Sequence, residues 1–395
     1  MARASGSTSD APSRNIVICC DGTSNEIVGN LSNVLKLFRI AQKSDAQHVF
    51  YHPGVGTIAN SNAWGRFKQN AYAVLGLATG AGLDDNILSA YRYLAQVYRA
   101  GDRIFLFGFS RGAYTVRALA GLLQTIGLLW PDQLNVADYA LTAYKKANDA
   151  HDLSIAWQFG RVTSARRVPV HFVGVWDTVA SIIVPRRDRF LAWPMLRTLP
   201  HTSTNPIVEI FRQAIAIDER RRLFRLNRWH DDQPFVANPF SSPPKTRPQD
   251  VKQVWFAGVH ADIGGGYPEA ESALSKFPLI WMIEEAAAKG LKINRAMFDH
   301  LARGVPIPGG KEDYVPPDPT GTLHKSLRGA WWLLEIWPKK AKWREWPRPS
   351  FLGRYLPLGE PRAIPRGALI HPSVEQRMAA VPSYRPINLE HRTSG

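Results

Sequence analysis

The stretch that most restricts the fold of this chain is RIFLFGFSRGAYTVRALAGLL, residues 103–123. Its first part is apolar and aromatic without alternation, which predicts a β-strand covered on both faces. Its second part places Tyr114, Ala118 and Leu122 on one stripe at helical spacing, which predicts an amphipathic helix. Between them lies Ser110, flanked by Gly108 and Gly112. A buried strand that turns this abruptly into a helix predicts an α/β protein with a tight corner at the serine.

Other segments continue the alternation of strand and helix. Apolar runs at 15–20, 48–51, 168–178 and 251–260 predict strands, and amphipathic spacing at 31–42 and 86–99 predicts helices. This order predicts a mostly parallel central sheet with helices on both faces, an α/β-hydrolase-like fold.

The chain divides by composition into three parts. We expect residues 1–13 to be a disordered tail, 14–306 a catalytic domain, and 307–395 an elaboration rich in Pro, Trp and basic residues that packs on the same domain. Because prolines interrupt the last part so often, no regular sheet layer is expected there. Residues 239–250 are expected to form a surface loop for the same reason.

The charge of the chain is strongly basic, with 49 Lys and Arg against 33 Asp and Glu and a net charge of +16. Such a surface attracts nucleic acid, anionic membranes or phosphorylated substrates. A basic solvated face without a specific partner is the more ordinary interpretation. No recognised nucleic-acid module accompanies the charge, so nucleic acid is not the expected partner.

The chain shows no sign of a disulfide framework or of a membrane span. Cys19 and Cys20 are adjacent in a predicted strand, where their side chains point to opposite faces and are poorly placed to bridge each other. The first residues are polar, and no apolar run is long enough to cross a bilayer as a helix. We therefore expect cytoplasmic synthesis without a signal peptide, and contact with a bilayer only from its surface. Export by a non-classical secretion system stays open.

The five residues from Gly108 to Gly112 match G-x-S-x-G, the pattern of the nucleophile elbow in α/β-hydrolases. A serine on a sharp strand-to-helix turn projects its hydroxyl above the sheet, and small neighbours permit that backbone. Since Ser110 lies between a predicted buried strand and a predicted helix, the surroundings that the mechanism requires are present. The sequence therefore predicts Ser110 as a nucleophile.

A serine hydroxyl needs a base to take its proton and an acid to orient that base. Downstream of Ser110, one predicted strand ends at Asp177 and another at His260. The order Ser, Asp, His is that of α/β-hydrolases, and the carboxyl ends of parallel strands meet at one edge of the sheet. Asp177 and His260 are therefore the predicted acid and base.

Other residues could fill these roles. Asp262, two positions after His260, is an alternative acid, and His371 in the irregular C-terminal part is an alternative base. His171 is less suitable because it lies inside its strand. Asp177 itself could instead cap the segment that follows it.

An oxyanion in such a site needs two fixed N–H donors. One is expected from the backbone of Arg111, and the other from Thr23, on the loop after the strand at 15–20. This chemistry requires no metal and no organic cofactor. The segment CCDGT resembles a phosphatase motif but has Cys19 where that nucleophile would stand, and the glycines at 264–266 do not open a dinucleotide-binding helix.

Six segments stand in order along the chain: NIVICCDGTSNE, GLDDNILSAYRYL, FLFGFSRGAYTVRALAGLL, FVGVWDTVAS, AIAIDERRRLF and WFAGVHADIGGGYPE. Together they resemble the catalytic domains of type VI secretion phospholipase effectors, a family long catalogued as a domain of unknown function. The resemblance extends over about residues 14–290, with a weaker match near the C-terminus. It implies an α/β-hydrolase domain and a serine esterase or phospholipase, in which Ser110, Asp177 and His260 match the pattern of the family.

The leading hypothesis is therefore a serine ester hydrolase acting on lipids, a phospholipase or lipase. An esterase for small soluble esters and a non-catalytic basic binder of anionic polymers or membranes are the alternatives. The tryptophans among the lysines and arginines of residues 331–348 suit the interface of an anionic membrane. They suit equally a lid packed on the core.

Overall fold

The computed structural model describes residues 13–22, 30–54, 82–150, 152–178, 182–184, 195–197, 199–237, 245–310, 312–329 and 331–392. The expected tail lies almost wholly outside these residues. The central feature is a seven-stranded sheet in which every neighbouring pair is parallel. The predicted α/β-hydrolase-like fold is confirmed.

The strands of the central sheet are β1 (Asn15–Cys20), β2 (Gln47–His52), β3 (Arg103–Phe109), β4 (Val170–Trp176), β7 (Val208–Ala216), β10 (Asp250–Phe256) and β13 (Leu369–Ile370). Their order across the sheet is β13-β10-β7-β4-β3-β1-β2. Short antiparallel pairs are formed by β5 (Ile182–Val184) with β6 (Met195–Arg197), β8 (Pro234–Val236) with β9 (Thr246–Pro248), and β11 (Lys339–Lys340) with β12 (Arg354–Tyr355).

Among the described residues the helices are α1 (Asn33–Ile40), α2 (Leu83–Val97), α3 (Arg111–Thr125), α4 (Ala137–Ala150), α5 (Ser154–Val162), α6 (His260–Gly264), α7 (Ala273–Ala288), α8 (Arg295–Arg303), α9 (Trp331–Glu335), α10 (Pro372–Ala380) and α11 (Ile387–Glu390). The helices predicted at 31–42 and 86–99 are α1 and α2, with ends displaced by two or three residues.

Helices cover both faces of the sheet. Successive residues of β1 point to opposite faces, so Ile16 and Ile18 belong to one apolar core, with α2, α3, α4 and α5. Val17 and Cys19 belong to a second core, with α1, α7 and α8. Burial on both faces explains why the strands are continuous apolar runs. Both cysteines are buried and free.

Strand β7 has no counterpart in the predicted elements. Arg212 and Gln213 interrupt its apolar run, yet both are buried. Arg212 is neutralised by Glu285 and Asp250, at 2.7 and 2.9 Å, and Gln213 accepts a hydrogen bond from Arg117 at 2.9 Å. These partners come from distant parts of the chain, so the sequence pattern around β7 does not reveal a buried strand.

The C-terminal part enters the central sheet, contrary to expectation. Leu369 and Ile370 form β13, which pairs with β10 at the edge of the sheet. Two residues suffice for this pairing, so the prolines on either side do not prevent it. Likewise, the loop expected at 239–250 contains β9 and the first residue of β10 within its described residues.

The register of the strands aligns their carboxyl ends. Cys20 is paired with Gly108, Phe109 with Trp176, and Trp176 with Ala214. The residues that follow β1, β3 and β4 therefore lie along one rim of the sheet. In the sheet, β2 lies on one side of β1, and β3 and all later strands lie on the other side. The strand order therefore reverses between β1 and β3. Ligands bind at such a reversal, outside the carboxyl ends of the strands, and the end of β3 lies beside it.

Candidate active site

Ser110 forms the corner between β3 and α3. Its φ of 56° lies in the left-handed region that L-residues with a side chain rarely adopt. Its side chain does not cap α3, although serine often does so at this position. The residue is 7% exposed, and within the described residues its hydroxyl forms no hydrogen bond. The corner thus holds a hydroxyl that the helix does not use.

The two glycines beside Ser110 allow the corner to be this tight. A methyl group added at Gly108 would overlap the backbone of Gly112. One added at Gly112 would overlap the carbonyl of Cys20, at the end of β1. Close approach of backbone to backbone, rather than glycine flexibility alone, therefore requires both positions to lack a side chain.

Asp177 and His260 meet at the same rim. Asp177 follows β4 with a φ of 33°, and His260 opens α6 after β10. The Nδ1 atom of His260 lies 2.6 Å from Oδ2 of Asp177. The backbone N–H of Ala216 donates to the other carboxylate oxygen at 3.0 Å. The carboxylate therefore orients the imidazole, and its Nε2 is the ring nitrogen that remains for other partners.

Arg362 completes the surroundings of Asp177, and the sequence analysis did not identify it. Its Nη1 and Nη2 atoms donate to the two oxygens of Asp177 at 2.5 and 3.1 Å. They donate as well to the carbonyls of Ala216 and Phe224. Nothing in the sequence around Arg362 indicates this role, since its partners lie far away along the chain.

Burial and charge set the protonation of the pair. Burial alone would raise the pKa of Asp177, but the Arg362 charge and the hydrogen bond from His260 outweigh it and hold that pKa well below its usual range. Burial lowers the pKa of His260, and the contact with Asp177 offsets this only in part. At neutral pH the pair is therefore a carboxylate beside an uncharged imidazole, the state that a general base requires.

A cluster of aromatic rings surrounds the imidazole. The ring of Phe109 lies 4.7 Å from that of His260, and the ring of Phe224 meets it edge-on at 4.8 Å. The guanidinium of Arg221 stacks on Phe224 at 3.6 Å and is held by Glu219, whose carboxylate also accepts the His260 backbone N–H. Phe109 directly precedes Ser110, so the imidazole packs against the last residue of the strand that ends at the serine. No hydrogen bond between them is present in the described part of the chain.

The alternative acid and bases have other partners. Asp262 accepts a hydrogen bond from His324 at 2.6 Å, so its carboxylate is engaged away from His260. His371 caps α10 and stacks on Phe256, and burial lowers its pKa to about 4. His171 bonds to Glu209 near the amino end of β4. This end of the strand is opposite to the end that Asp177 follows.

The two predicted oxyanion donors differ in what the structure describes. Arg111 is the first residue of α3, where backbone N–H groups lack partners within the helix. Its Nε atom is buried and has no hydrogen-bond partner among the residues that the structure describes, and burial lowers the pKa of Arg111 to about 10. Thr23 lies outside the described residues. Just before it, the Gly22 N–H donates to Asp21 at 2.7 Å.

Neither a metal site nor a membrane-spanning helix is present in the described part of the chain. Among its residues, no group of three or more His, Cys, Asp or Glu side chains could hold a metal ion. None of the helices within the described ranges combines the length and apolarity needed to cross a bilayer.

A parallel α/β sheet with a serine corner and an Asp–His pair on one rim belongs to the α/β-hydrolase-like class. Residues 14–285 match the sequence profile of the type VI secretion system (T6SS) phospholipase effector Tle1-like catalytic domain. The match covers more than half of the chain, so the protein belongs to this family. The resemblance seen in the sequence is confirmed, and the family suggests a phospholipase or lipase activity.

A curated relative and two solved structures resemble the chain at 30% sequence identity or less. The chain is 30% identical over 234 residues to the uncharacterized protein YEL023C of Saccharomyces cerevisiae, a match to 55% of this chain and 33% of that protein. The crystal structure of an uncharacterized protein from Pseudomonas aeruginosa aligns with 72% of this chain and 47% of its own, at 19% identity and a TM-score of 0.39. The structure of the Tle1 effector bound to the VgrG spike aligns over 67% and 53%, at 20% identity and a TM-score of 0.34. The chain thus spans a third of the curated relative and about half of each solved chain.

Proposed function

We propose that this protein is a serine ester hydrolase that cleaves acyl esters of phospholipids through Ser110, His260 and Asp177. The observation that carries the proposal is the 2.6 Å contact between His260 and Asp177 on the rim where β3 ends at Ser110. Membership of a phospholipase effector family supports the substrate class. The serine need not contact the imidazole before substrate binds, because catalytic hydrogen bonds are often long in unliganded enzymes.

Each residue has a defined step in this proposal. The Oγ atom of Ser110 attacks the acyl carbonyl while Nε2 of His260 takes the hydroxyl proton. Asp177 holds the Nδ1–H of the resulting imidazolium. The backbone N–H of Arg111, with that of Thr23 as the expected second donor, binds the oxyanion. His260 then returns the proton to the leaving alcohol, and water hydrolyses the acyl-enzyme by the same steps in reverse.

An activated serine can be tested with a fluorophosphonate probe followed by intact-mass measurement. We expect one covalent label on the wild-type protein and none on Ser110→Ala, because the probe reacts readily only with a serine hydroxyl that an oriented base activates. Turnover of phospholipid should fall by about 10⁴-fold or more in the same variant. Ser154→Ala, at the exposed start of α5, is the matched control and should label like the wild type.

Two other outcomes would redirect the proposal. Equal turnover of short soluble esters with and without lipid vesicles would favour the small-ester esterase. Folded protein that stays unlabelled, even with vesicles present, would contradict the serine mechanism and favour a non-catalytic basic binder.

We also propose export by type VI secretion, with a component of the secretion apparatus as partner. The family supports this proposal, and the solved Tle1 effector is described as bound to a VgrG spike. Recovery of the protein from culture medium only when the secretion system is intact would support it. Equal recovery from a strain that lacks the system would contradict it.

A further inference from the structure

The part of the chain from 331 to 360, which we call the C-terminal hairpin unit, exposes an unusual amount of apolar surface. It consists of α9 and the β11–β12 hairpin, joined where Leu358 donates its backbone N–H to the carbonyl of Glu335. Eight of the fifteen exposed large apolar side chains among the described residues belong to it, and Trp332, Leu333 and Ile336 are between 46% and 65% exposed. Scattered apolar residues are ordinary on a surface, but such a concentration marks an interaction site.

The most exposed apolar residues of the unit lie at a turn. The backbones of Phe351 and Arg354 exchange two hydrogen bonds, at 2.8 and 2.9 Å, around a two-residue turn. The turn residues Leu352 and Gly353 both have positive φ, 48° and 70°, as a type I′ turn requires. Phe351 is 78% and Leu352 is 85% exposed. The turn therefore projects a phenyl ring and an isobutyl group into solvent.

Leucine is an unfavourable choice for this position on folding grounds alone. The first central residue of such a turn is normally Asn, Asp or Gly, because a Cβ is strained in the left-handed region. With most of its side chain exposed, Leu352 gains little from burial to offset this strain. An outlier of this kind points to a role outside the folded chain itself.

The exposed charged side chains of the unit are all positive. Lys340, Lys342 and Arg344 are exposed on the same unit. Its three carboxylates, Glu335, Glu345 and Glu360, all contact Arg222, which follows β7. These three carboxylates thus anchor the unit to the rest of the protein through Arg222, and the charge that remains exposed on the unit is positive.

The same unit contacts the candidate active site. Trp331, the first residue of α9, meets the ring of Phe224 edge-on at 5.4 Å. Phe224 in turn packs on His260 at 4.8 Å. A surface that docks through this unit would therefore be connected to the catalytic imidazole through two packed rings.

We propose that the C-terminal hairpin unit docks on an anionic lipid bilayer, with Phe351 and Leu352 inserted and Lys340, Lys342 and Arg344 at the headgroups. Aromatic and aliphatic side chains beside lysine and arginine are the composition that enters the interface of a bilayer. The proposal names the surface on which the proposed hydrolase acts. Its biological purpose rests on the proposed function, whereas the docking itself does not depend on hydrolysis.

Vesicle cosedimentation of the Ser110→Ala protein tests docking without hydrolysis. Vesicles of phosphatidylcholine with phosphatidylglycerol are compared with vesicles of phosphatidylcholine alone. We expect binding to the anionic vesicles, weakened about 100-fold by the double change Phe351→Ser and Leu352→Asn, because two apolar side chains lose their burial. Neutralising the cations with Lys340→Gln, Lys342→Gln and Arg344→Gln should weaken binding about fivefold per cation, with little effect on phosphatidylcholine vesicles.

Leu352→Asn alone separates docking from folding. Asn suits positive φ better than Leu does, so this variant should unfold at the same temperature as the parent or a higher one, yet bind anionic vesicles more weakly. Val162→Ser removes an apolar side chain that is 86% exposed at the end of α5, and should leave binding unchanged. With Ser110 present, the turn variants should hydrolyse a soluble short ester at the wild-type rate.

Absence of binding to anionic vesicles would overturn the proposal, and so would binding that Leu352→Asn leaves unchanged. Equal losses in Leu352→Asn and Val162→Ser would overturn it too, since the effect would not belong to the hairpin. Because binding is measured with the inactive variant, docking without any esterase activity would overturn only the proposed function.

Discussion

At the scale of single residues, Asp177 depends on an arginine that follows it by 185 positions. The two side chains are buried and share two hydrogen bonds. Removing one member of a buried ion pair strands the other charge, at a cost of about 3–5 kcal/mol. Arg362 does not touch the reacting atoms in the proposed mechanism, so its role is to position the carboxylate that orients His260.

Arg362→Gln should lower kcat/KM by about 100-fold and shift its pH dependence. Without the guanidinium, the buried carboxylate would favour a protonated His260 more strongly and raise its pKa. With a raised pKa, the imidazole becomes protonated at a higher pH and can then no longer act as a base. The acidic limb of the kcat/KM profile should therefore move to higher pH. In the wild type this limb should lie below the usual histidine value of about 6.5, because burial lowers the pKa of His260. Arg362→Lys should restore part of the rate.

Arg377→Gln is the matched control for this prediction. Arg377 is a buried arginine too, but it donates to the carbonyls of Pro319 and Gly321. Its loss should lower stability without moving the acidic limb. Guanidinium ion added to Arg362→Ala should recover activity if positioning is the role. If the acidic limb is unchanged in Arg362→Gln and guanidinium ion does not rescue Arg362→Ala, the role of Arg362 is purely structural.

At the scale of elements, the β3–α3 corner depends on the contact of α3 with the end of β1. Gly112→Ala should lower the free energy of unfolding by about 3 kcal/mol, since the new methyl would overlap the Cys20 carbonyl and backbone would have to move. Urea unfolding of the variant and the wild type measures this loss. Activity should fall with it, because the corner holds Ser110.

Gly310→Ala is the control for the corner. Gly310 is exposed and has no positive φ, and a methyl there would lie 3.0 Å from the Ile307 carbonyl oxygen. The free energy of unfolding of Gly310→Ala should therefore fall by no more than about 1 kcal/mol. Equal stability of Gly112→Ala and the wild type would mean that helix and strand are not in close contact.

Sequence pattern identified most elements of the sheet and missed those whose evidence is not local. The apolar runs of β1, β3 and β4 are typical of strands buried on both faces, and each lies where it was predicted. Strand β7 carries a buried Arg212 that only its distant carboxylate partners make tolerable. Strand β13 has two residues, too few for any periodicity, and exists because β10 offers a free edge.

At the scale of the whole molecule, the C-terminal part shares a core with the sheet. Ile215 of β7 and Trp255 of β10 pack in one cluster with Ile364, Val374 and Tyr384. We therefore propose that the described residues before and after 307 unfold as one cooperative unit. Tryptophan fluorescence and near-ultraviolet circular dichroism should report one coincident thermal transition.

Val374→Ala tests this shared core, because Val374 is fully buried in α10. The variant should lose about 2 kcal/mol and shift the whole transition to lower temperature. Leu369→Ala removes a side chain that is 51% exposed on β13 and should change stability by less than about 0.5 kcal/mol. Two separate transitions, with only one sensitive to Val374→Ala, would show that the C-terminal part folds independently.

The sequence by itself determined the features that local chemistry decides. Continuous apolar runs define buried strands, and glycines on both sides of Ser110 permit a corner too tight for side chains. The order of strands then places Asp177 and His260 at the carboxyl ends that share a rim. Tertiary structure alone decided the partners: Arg362 beside Asp177, and His324 rather than His260 beside Asp262. Such pairings depend on which distant segments the fold brings within a few ångströms, and no spacing along the chain records that distance.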